Sequence, residues 1–244
     1  FSTPDIGKYV RIQKERGIQF LTTEPVESAS WSFIQTVPSL FTGNSLGFIE
    51  WKDDTRSYLP PDATAIPPGV TKPEAGYLDN ISVLDHTATR VRAQDRTAAI
   101  LEFLNLTSYH YDFGVHVKSL NSITSVARRE PEDFAMVFTS GISPYTSDEE
   151  SGPTEKFIRN YGTRVHHMAF RTERIEDTVV QLKNDGMGFL LDLVGSEKEG
   201  LKQIFSTPSA STLIINEYIH RYGGFDGFFT RSNVERLTEA TGKQ

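Results

Sequence analysis

Leu84-Asp85-His86-Thr87-Ala88-Thr89-Arg90-Val91 and Val165-His166-His167-Met168-Ala169-Phe170 are the two stretches on which the reading of this chain turns. Each alternates in the manner of a strand, carries histidine, and runs on into a helical pattern. The first leads through Asp95 to 97–104, the second to the helix that opens at Ile175. His86 and His167 stand 81 residues apart, about one strand–helix–strands module. Working outward, a second internal similarity appears. Val10, Lys14, Gly17, Phe20 and Leu21 recur as Val179, Lys183, Gly186, Phe189 and Leu190 at a constant offset of 169. Both sets read as an amphipathic helix, a glycine stop and a strand, the first of these strands over 18–22. The chain is therefore read as duplicated modules that begin with a strand.

Further strand-like runs fall at 108–113, 123–127, 134–138, 201–205 and 213–218, and in the N-terminal part at 31–36 and 46–51. Pro60, Pro61, Pro67, Pro68, Gly69 and Pro73 mark a linker, placing a boundary near residue 75 between 1–75 and 76–244. The run 147–155 is polar and acidic and reads as a solvated loop. Ser232-Asn233-Val234-Glu235 fits a capping box opening a last helix, with Leu237 and Ala240 on its inner face.

Composition narrows the function. With 244 residues and 37% hydrophobic content the chain can bury a core. A formal net charge of −7 argues against a nucleic-acid binder. The absence of cysteine excludes disulfide scaffolds, zinc–thiolate sites and thiol catalysis. No membrane-length apolar run or signal segment stands in the sequence, so the expectation is a soluble, cytoplasmic protein with no membrane partner.

The strong ligands that remain are six histidines and the carboxylates. His86 and His167 hold equivalent places on the opening strands of two modules, and such modules close around a shared cavity. Glu217 is a carboxylate inside the apolar run 213–219 and requires a partner, either a metal or Arg221 or Arg164. Two histidines and one carboxylate on three strands form the facial triad of non-haem Fe(II), with positions left open for a bidentate 2-oxo acid and for O2.

The segments Val83-Leu84-Asp85-His86, Arg164-Val165-His166-His167-Met168-Ala169-Phe170, Gln203-Ile204-Phe205 and Asn216-Glu217-Tyr218-Ile219-His220-Arg221 resemble the iron-binding segments of the 4-hydroxyphenylpyruvate dioxygenase family. Gly224-Phe225-Asp226-Gly227-Phe228-Phe229 and Lys118-Ser119-Leu120-Asn121-Ser122 resemble two further segments of it. The resemblance covers nearly the whole chain. It implies an α+β fold in which paired βαβββ modules form an open, cup-like mixed β-barrel around a metal, the vicinal-oxygen-chelate fold. Residues 1–75 would be the remainder of a non-catalytic N-terminal domain of βαβββ type plus the linker, with chain preceding Phe1. Residues 76–244 would be the catalytic domain, two such modules and a C-terminal helix.

The resemblance further implies His86, His167 and Glu217 as Fe(II) ligands, and Gln203 and Ser122 as polar, catalytic pocket residues. Phe205, Phe225 and Phe229 would contact an aromatic substrate, and His166 and Ile215 would stand at substrate-binding positions beside them. Phe225 and Phe229 read either as core or as a hinged gate beside Gly223, Gly224 and Gly227. Four places depart from the family pattern: His166 stands for Gln, Thr139-Ser140-Gly141 for Pro-x-Asn, and Ile215 for an aromatic residue, while the connection near 190–197 is short. His166 either faces away from His167 on a regular strand or reaches the pocket rim through a bulge. His110, His116 and His220 read as structural.

The implied activity is an Fe(II)-dependent dioxygenase that decarboxylates and hydroxylates an aromatic 2-oxo acid, with 4-hydroxyphenylpyruvate going to homogentisate in tyrosine catabolism. The alternatives are a mandelate-forming relative, another metalloenzyme of this fold (an extradiol-type dioxygenase, isomerase or dehydratase), and a non-enzymatic module that sequesters an aromatic ligand. The resemblance also implies a homodimer or higher homo-oligomer.

Overall fold

A computed structural model describes residues 1–61, 63–66, 69, 73–223, 225 and 227–243. Pro67 and Pro68 of the linker, and Gly224 and Asp226 of the glycine–phenylalanine segment, lie outside the described residues. The chain divides into two compact units, Phe1–Glu74 and Ala75–Gln244.

In the first unit, α1 (Ile6–Glu15) begins where Asp5 accepts the Lys8 amide at 2.7 Å, and buries Ile6 and Val10. It ends at Gly17, whose φ of +85° closes the helix in the left-handed region. The sheet is β1 (Val26–Glu27), β2 (Trp31–Gln35) and β3 (Gly47–Trp51), antiparallel in that order. The strand expected over 18–22 does not form. Phe20 makes one bridge to Thr36, and Leu21 is 56% exposed, so no apolar face holds a longer pairing.

The second unit repeats one motif twice. Its first copy is β4 (Ile81–Arg90), α2 (Arg96–Leu106), β5 (His110–Val117), β6 (Ser122–Arg128) and β7 (Ala135–Ser140). Then comes α3 (Pro153–Tyr161), followed by the second copy: β8 (Arg164–Thr172), α4 (Ile175–Asn184), β9 (Val194–Ser196), β10 (Leu201–Phe205) and β11 (Ile215–Arg221). The terminal helix α5 spans Arg231–Ala240. All eight strands form one sheet in the order β5-β6-β7-β4-β8-β11-β10-β9. β4 lies parallel to β7, and β8 parallel to β11, while β4 and β8 run antiparallel at the centre. The order is therefore the same read from either edge: a hairpin pair, a closing strand, an opening strand. This curled mixed sheet with helices is the architecture expected.

Two local expectations are corrected. The acidic run is no solvated loop at its end: Pro153 opens α3, and Glu155, 3% exposed, accepts the amides of Ala93 and Gly141 at 3.0 and 2.9 Å. A buried carboxylate receiving backbone N–H groups pins both crossovers, a role that charge patterning does not reveal. The last helix starts earlier than the capping box suggested. Thr230, not Ser232, accepts the Asn233 amide at 3.2 Å, and Glu235 instead receives the Ser119 hydroxyl. Leu237 and Ala240 are buried, as read. Among the described residues no helix is long and apolar enough to cross a membrane.

Candidate metal centre

The centre is laid out by strand register. Ala169 on β8 pairs with His86 on β4 to one side and with Glu217 on β11 to the other. Directly paired residues share a face, so His86, Ala169 and Glu217 form a row across three strands. His167, two positions earlier on β8, is on that face as well. Ala169 is wholly buried, and its single methyl group leaves a hollow between the two longer side chains.

Both histidines sit beside a bulge. Between Leu84 and His86 β4 advances two residues while β8 advances one, from Phe170 to Ala169, so Asp85 is the extra residue. Between His167 and Val165 β8 advances two while β4 advances one, making His166 the extra residue. Each bulged residue turns onto the histidine that follows it. His86 Nδ1 lies 2.8 Å from Asp85 Oδ1, and His167 Nδ1 lies 2.8 Å from His166 Nδ1. His166 is 2% exposed and lines the cavity, the bulged alternative rather than the outward one.

Asp85 is in turn held by Arg221, at 2.5 and 3.1 Å, and by Arg171 Nε at 3.1 Å. Burial works to raise its pKa, but the bonds from His86 and Arg221 outweigh burial and keep it far below the carboxylate range. A fixed carboxylate at Nδ1 makes that nitrogen the donor, so Nε2 is the nitrogen that can offer a lone pair to a metal once its proton is lost, a role inferred from the bonding pattern.

Nε2 of His86 is fully buried and makes no well-aligned hydrogen bond, although a carboxylate is within ion-pair distance. It faces Glu217 Oε2 at 3.1 Å, and His167 Nε2 lies 3.4 Å from the same oxygen. The three ligand atoms lie within 4.8 Å of one another. Lone pairs that converge in a buried space repel unless a cation stands among them. The donor set therefore fits a divalent metal, with one oxygen and two imidazole nitrogens on one side of the ion. Burial alone would lower the His86 pKa, but Glu217 and Asp85 raise it to about 9, so in the metal-free site a proton on Nε2 is the cation that balances Glu217, and a metal would displace it. His167 is driven well below its ordinary value by burial and by its neighbours His166, His86 and Arg90, which keeps it neutral as a ligand must be.

Glu217 is oriented by a relay absent from the sequence reading. Gln203 Nε2 donates to Glu217 Oε1 at 2.6 Å, and Asn233 Nδ2 on α5 donates to Gln203 Oε1 at 2.9 Å. One carboxylate oxygen is thereby occupied and the other is turned to the histidines.

The cavity over this face holds about 490 Å³ free of protein atoms, its mouth included. Ser122, His166, His167, Gln203, Phe205, Glu217 and Phe229 line it. The Phe205 ring stands 4.8 Å from His167, and the Phe229 ring 5.2 Å from His86. Two residues expected at a substrate do not line it. Phe225 packs on the core of Ala169, Leu201 and Ile219, its ring close over Gly200, and Ile215 is wholly buried with Val194, Phe205 and Leu237. His110 and His116 are exposed on β5, and His220 is bound to the Thr172 carbonyl, all away from the centre.

The sequence reading missed Asp85, Asn233, Phe228 and Arg90. Phe228 lies beneath the site, its ring 5.4 Å from His86 and covered by Arg221. Asp85 had a signal, since it precedes His86 as His166 precedes His167; Asn233 had none.

No family model matches the chain, and no curated protein matches it. Among solved structures it is similar to a triple mutant of 4-hydroxymandelate synthase from Streptomyces coelicolor, at TM-score 0.74 and 18% identity, over all of this chain and 75% of that one. Methylmalonyl-CoA epimerase from Mycobacterium tuberculosis aligns at TM-score 0.46 and 13% identity, over 58% of this chain and 89% of that one. Together with the strand order, the first likeness shows that the chain has the vicinal-oxygen-chelate fold.

Proposed function

We propose that the chain is an Fe(II)-dependent dioxygenase acting on an aromatic 2-oxo acid, with His86, His167 and Glu217 as the metal ligands. The observation that carries this reading is the convergence of His86 Nε2, His167 Nε2 and Glu217 Oε2 in one buried space, within 4.8 Å of one another. When bound, the iron would activate O2 and hold the 2-oxo acid by its carboxylate and keto oxygens. The chain's own residues do the rest. Asp85 holds the His86 ring, Gln203 and Asn233 fix the direction of Glu217, and Phe205 and Phe229 present apolar faces to a ring and exclude water. Ser122, 1% exposed at the start of β6, offers a hydroxyl to the substrate.

Homogentisate formation from 4-hydroxyphenylpyruvate and mandelate formation share this chelate and differ in which carbon is hydroxylated. The similarity to 4-hydroxymandelate synthase favours keeping the second outcome in view. The test is an anaerobic titration of Fe(II)-loaded protein with 4-hydroxyphenylpyruvate, followed by visible absorption. A charge-transfer band that His86→Ala removes supports the reading, and admission of O2 with product analysis then assigns the carbon attacked. Tightly bound metal with no band sinks the 2-oxo acid, and no His86-dependent metal sinks the centre itself.

A further inference from the structure

Arg90 ends the inner row of β4. His86, Ala88 and Arg90 alternate on one face, so the guanidinium belongs to the same cavity wall as the metal ligand, with Cα atoms about 13 Å apart at the usual strand rise. Arg90 is 2% exposed and lines the cavity. Its Nη2 donates to Thr241 Oγ1 at 2.8 Å, and its guanidinium lies 4.4 Å over the Phe157 ring. Nη1 has no partner at all. No carboxylate among the described residues pairs with it; Glu155 on the neighbouring α3 turns its Oε1 to two backbone amides and forms no ion pair with Arg90.

The surroundings are those of an anion site. Arg90 pairs with Thr139 on β7, and Thr139 pairs with Thr124 on β6, so the row beyond Ala88 and Val137 changes from apolar to hydroxyl-bearing. Thr154, Thr238 and Thr241 line the same cavity. Burial pulls the Arg90 pKa down to about 9, which leaves it charged at neutral pH. A lone buried cation with a free N–H group is costly unless an anion arrives to meet it. Charge counting agrees. Glu217 is the one carboxylate lining the cavity among the described residues, and a divalent ion at the centre more than neutralises it. A metal-loaded cavity thus carries two net positive charges, one at each end.

We infer that Arg90 binds a second anionic group of the substrate, so that the substrate class is a 2-oxo acid bearing a carboxylate at the end opposite its chelating group. A guanidinium suits this because its planar fork matches a carboxylate. The assignment rests on the metal-centre reading above for the chelating end only; the Arg90 site stands on its own geometry.

The experiment has two arms. In metal-free protein, thermal stabilisation is measured with benzoate and with benzamide, which differ in charge at one group. Benzoate stabilises and benzamide does not, and Arg90→Gln removes the difference. Equal effects, or a benzoate effect that persists in Arg90→Gln, overturn the anion site. In Zn2+-loaded protein, which runs no oxidation, calorimetry compares phenylpyruvate with 4-carboxyphenylpyruvate. The carboxylated probe binds about tenfold or more tighter, and Arg90→Gln cancels that preference while phenylpyruvate binding stays. Equal binding of the two overturns the substrate class even if the anion site stands. Should Arg90→Gln fail to fold, Arg90→Lys keeps a cation without the fork and reduces the preference, and the wild-type comparison is decisive alone. Zinc uptake indifferent to His86→Ala is a failure of the metal reading, and the first arm still judges Arg90.

Discussion

Asp85 shows how one residue sets the character of another. Its carboxylate accepts from His86 Nδ1 and is itself clamped by two arginines, so His86 turns Nε2 toward Glu217 and His167 with a fixed ring. Asp85→Asn keeps the size but loses the charge. Metal affinity is expected to fall about 10–100-fold, measured by competition with a chromophoric chelator. Ala169 makes the opposite case, since it matters by being small. Ala169→Leu pushes a branched side chain between His86 and Glu217; it should abolish stoichiometric metal uptake, read by elemental analysis, and cost about 1–3 kcal/mol in urea unfolding. Retained metal in that variant would place the ligands elsewhere. His86, His167 and Glu217 were legible as residue types in a pattern, whereas Ala169 was not, because nothing about an alanine in a strand announces the space beside it.

At the scale of elements, the helix–glycine–bridge design seen at offset 169 is a real structural repeat. Gly17 and Gly186 have φ of +85° and +92°, and the amides of Ile18 and Met187 reach back to Gln13 and Leu182. An added Cβ at either glycine meets nothing within 4 Å, so Gly17→Ala and Gly186→Ala should each lose only the backbone term, about 1 kcal/mol by denaturant titration. Gly195→Ala should do more harm. Its Cβ would fall 2.0 Å from the Leu201 carbonyl and 2.8 Å from Asn233 Nδ2, disturbing the relay that aims Glu217. The following hairpin repeats as well, one residue out of step. The Thr36 amide bonds Leu46 as the Ser206 amide bonds Asn216, and Leu46 and Asn216 bond back to the hydroxyls of Thr36 and Ser206. In that alignment Gly47 stands where Glu217 does and Phe33 where Gln203 does. A Cβ on Gly47 would meet the Phe33 ring at 2.8 Å, so the N-terminal copy keeps the framework and fills the ligand position with an aromatic ring.

For the whole molecule, a metal that binds only the folded second unit must stabilise it. Metal at one hundred times its dissociation constant should add about 2.7 kcal/mol to the unfolding free energy of Ala75–Gln244, while Phe1–Glu74, which holds no such cluster among its described residues, should unfold unchanged. Calorimetry with and without chelator checks both statements, and a shift in both units would contradict the assignment. Alternation, glycine stops and repeat offsets are local quantities. They were enough to place the repeat, most of the strands and the three side chains that cluster at the centre, because a period of two or 3.6 is written in neighbouring residues. The bulges that swing Asp85 and His166 onto their histidines, the reach of Asn233 and the solitude of Arg90 belong to strands far apart in the chain. Bulges arise only when two strands are laid in register, and a free N–H is known to be free only after every possible partner has been placed. That is why the three clustered side chains His86, His167 and Glu217 could be read along the chain, while what orients them, and the buried charge of Arg90 in the same cavity, appeared only when the sheet was closed.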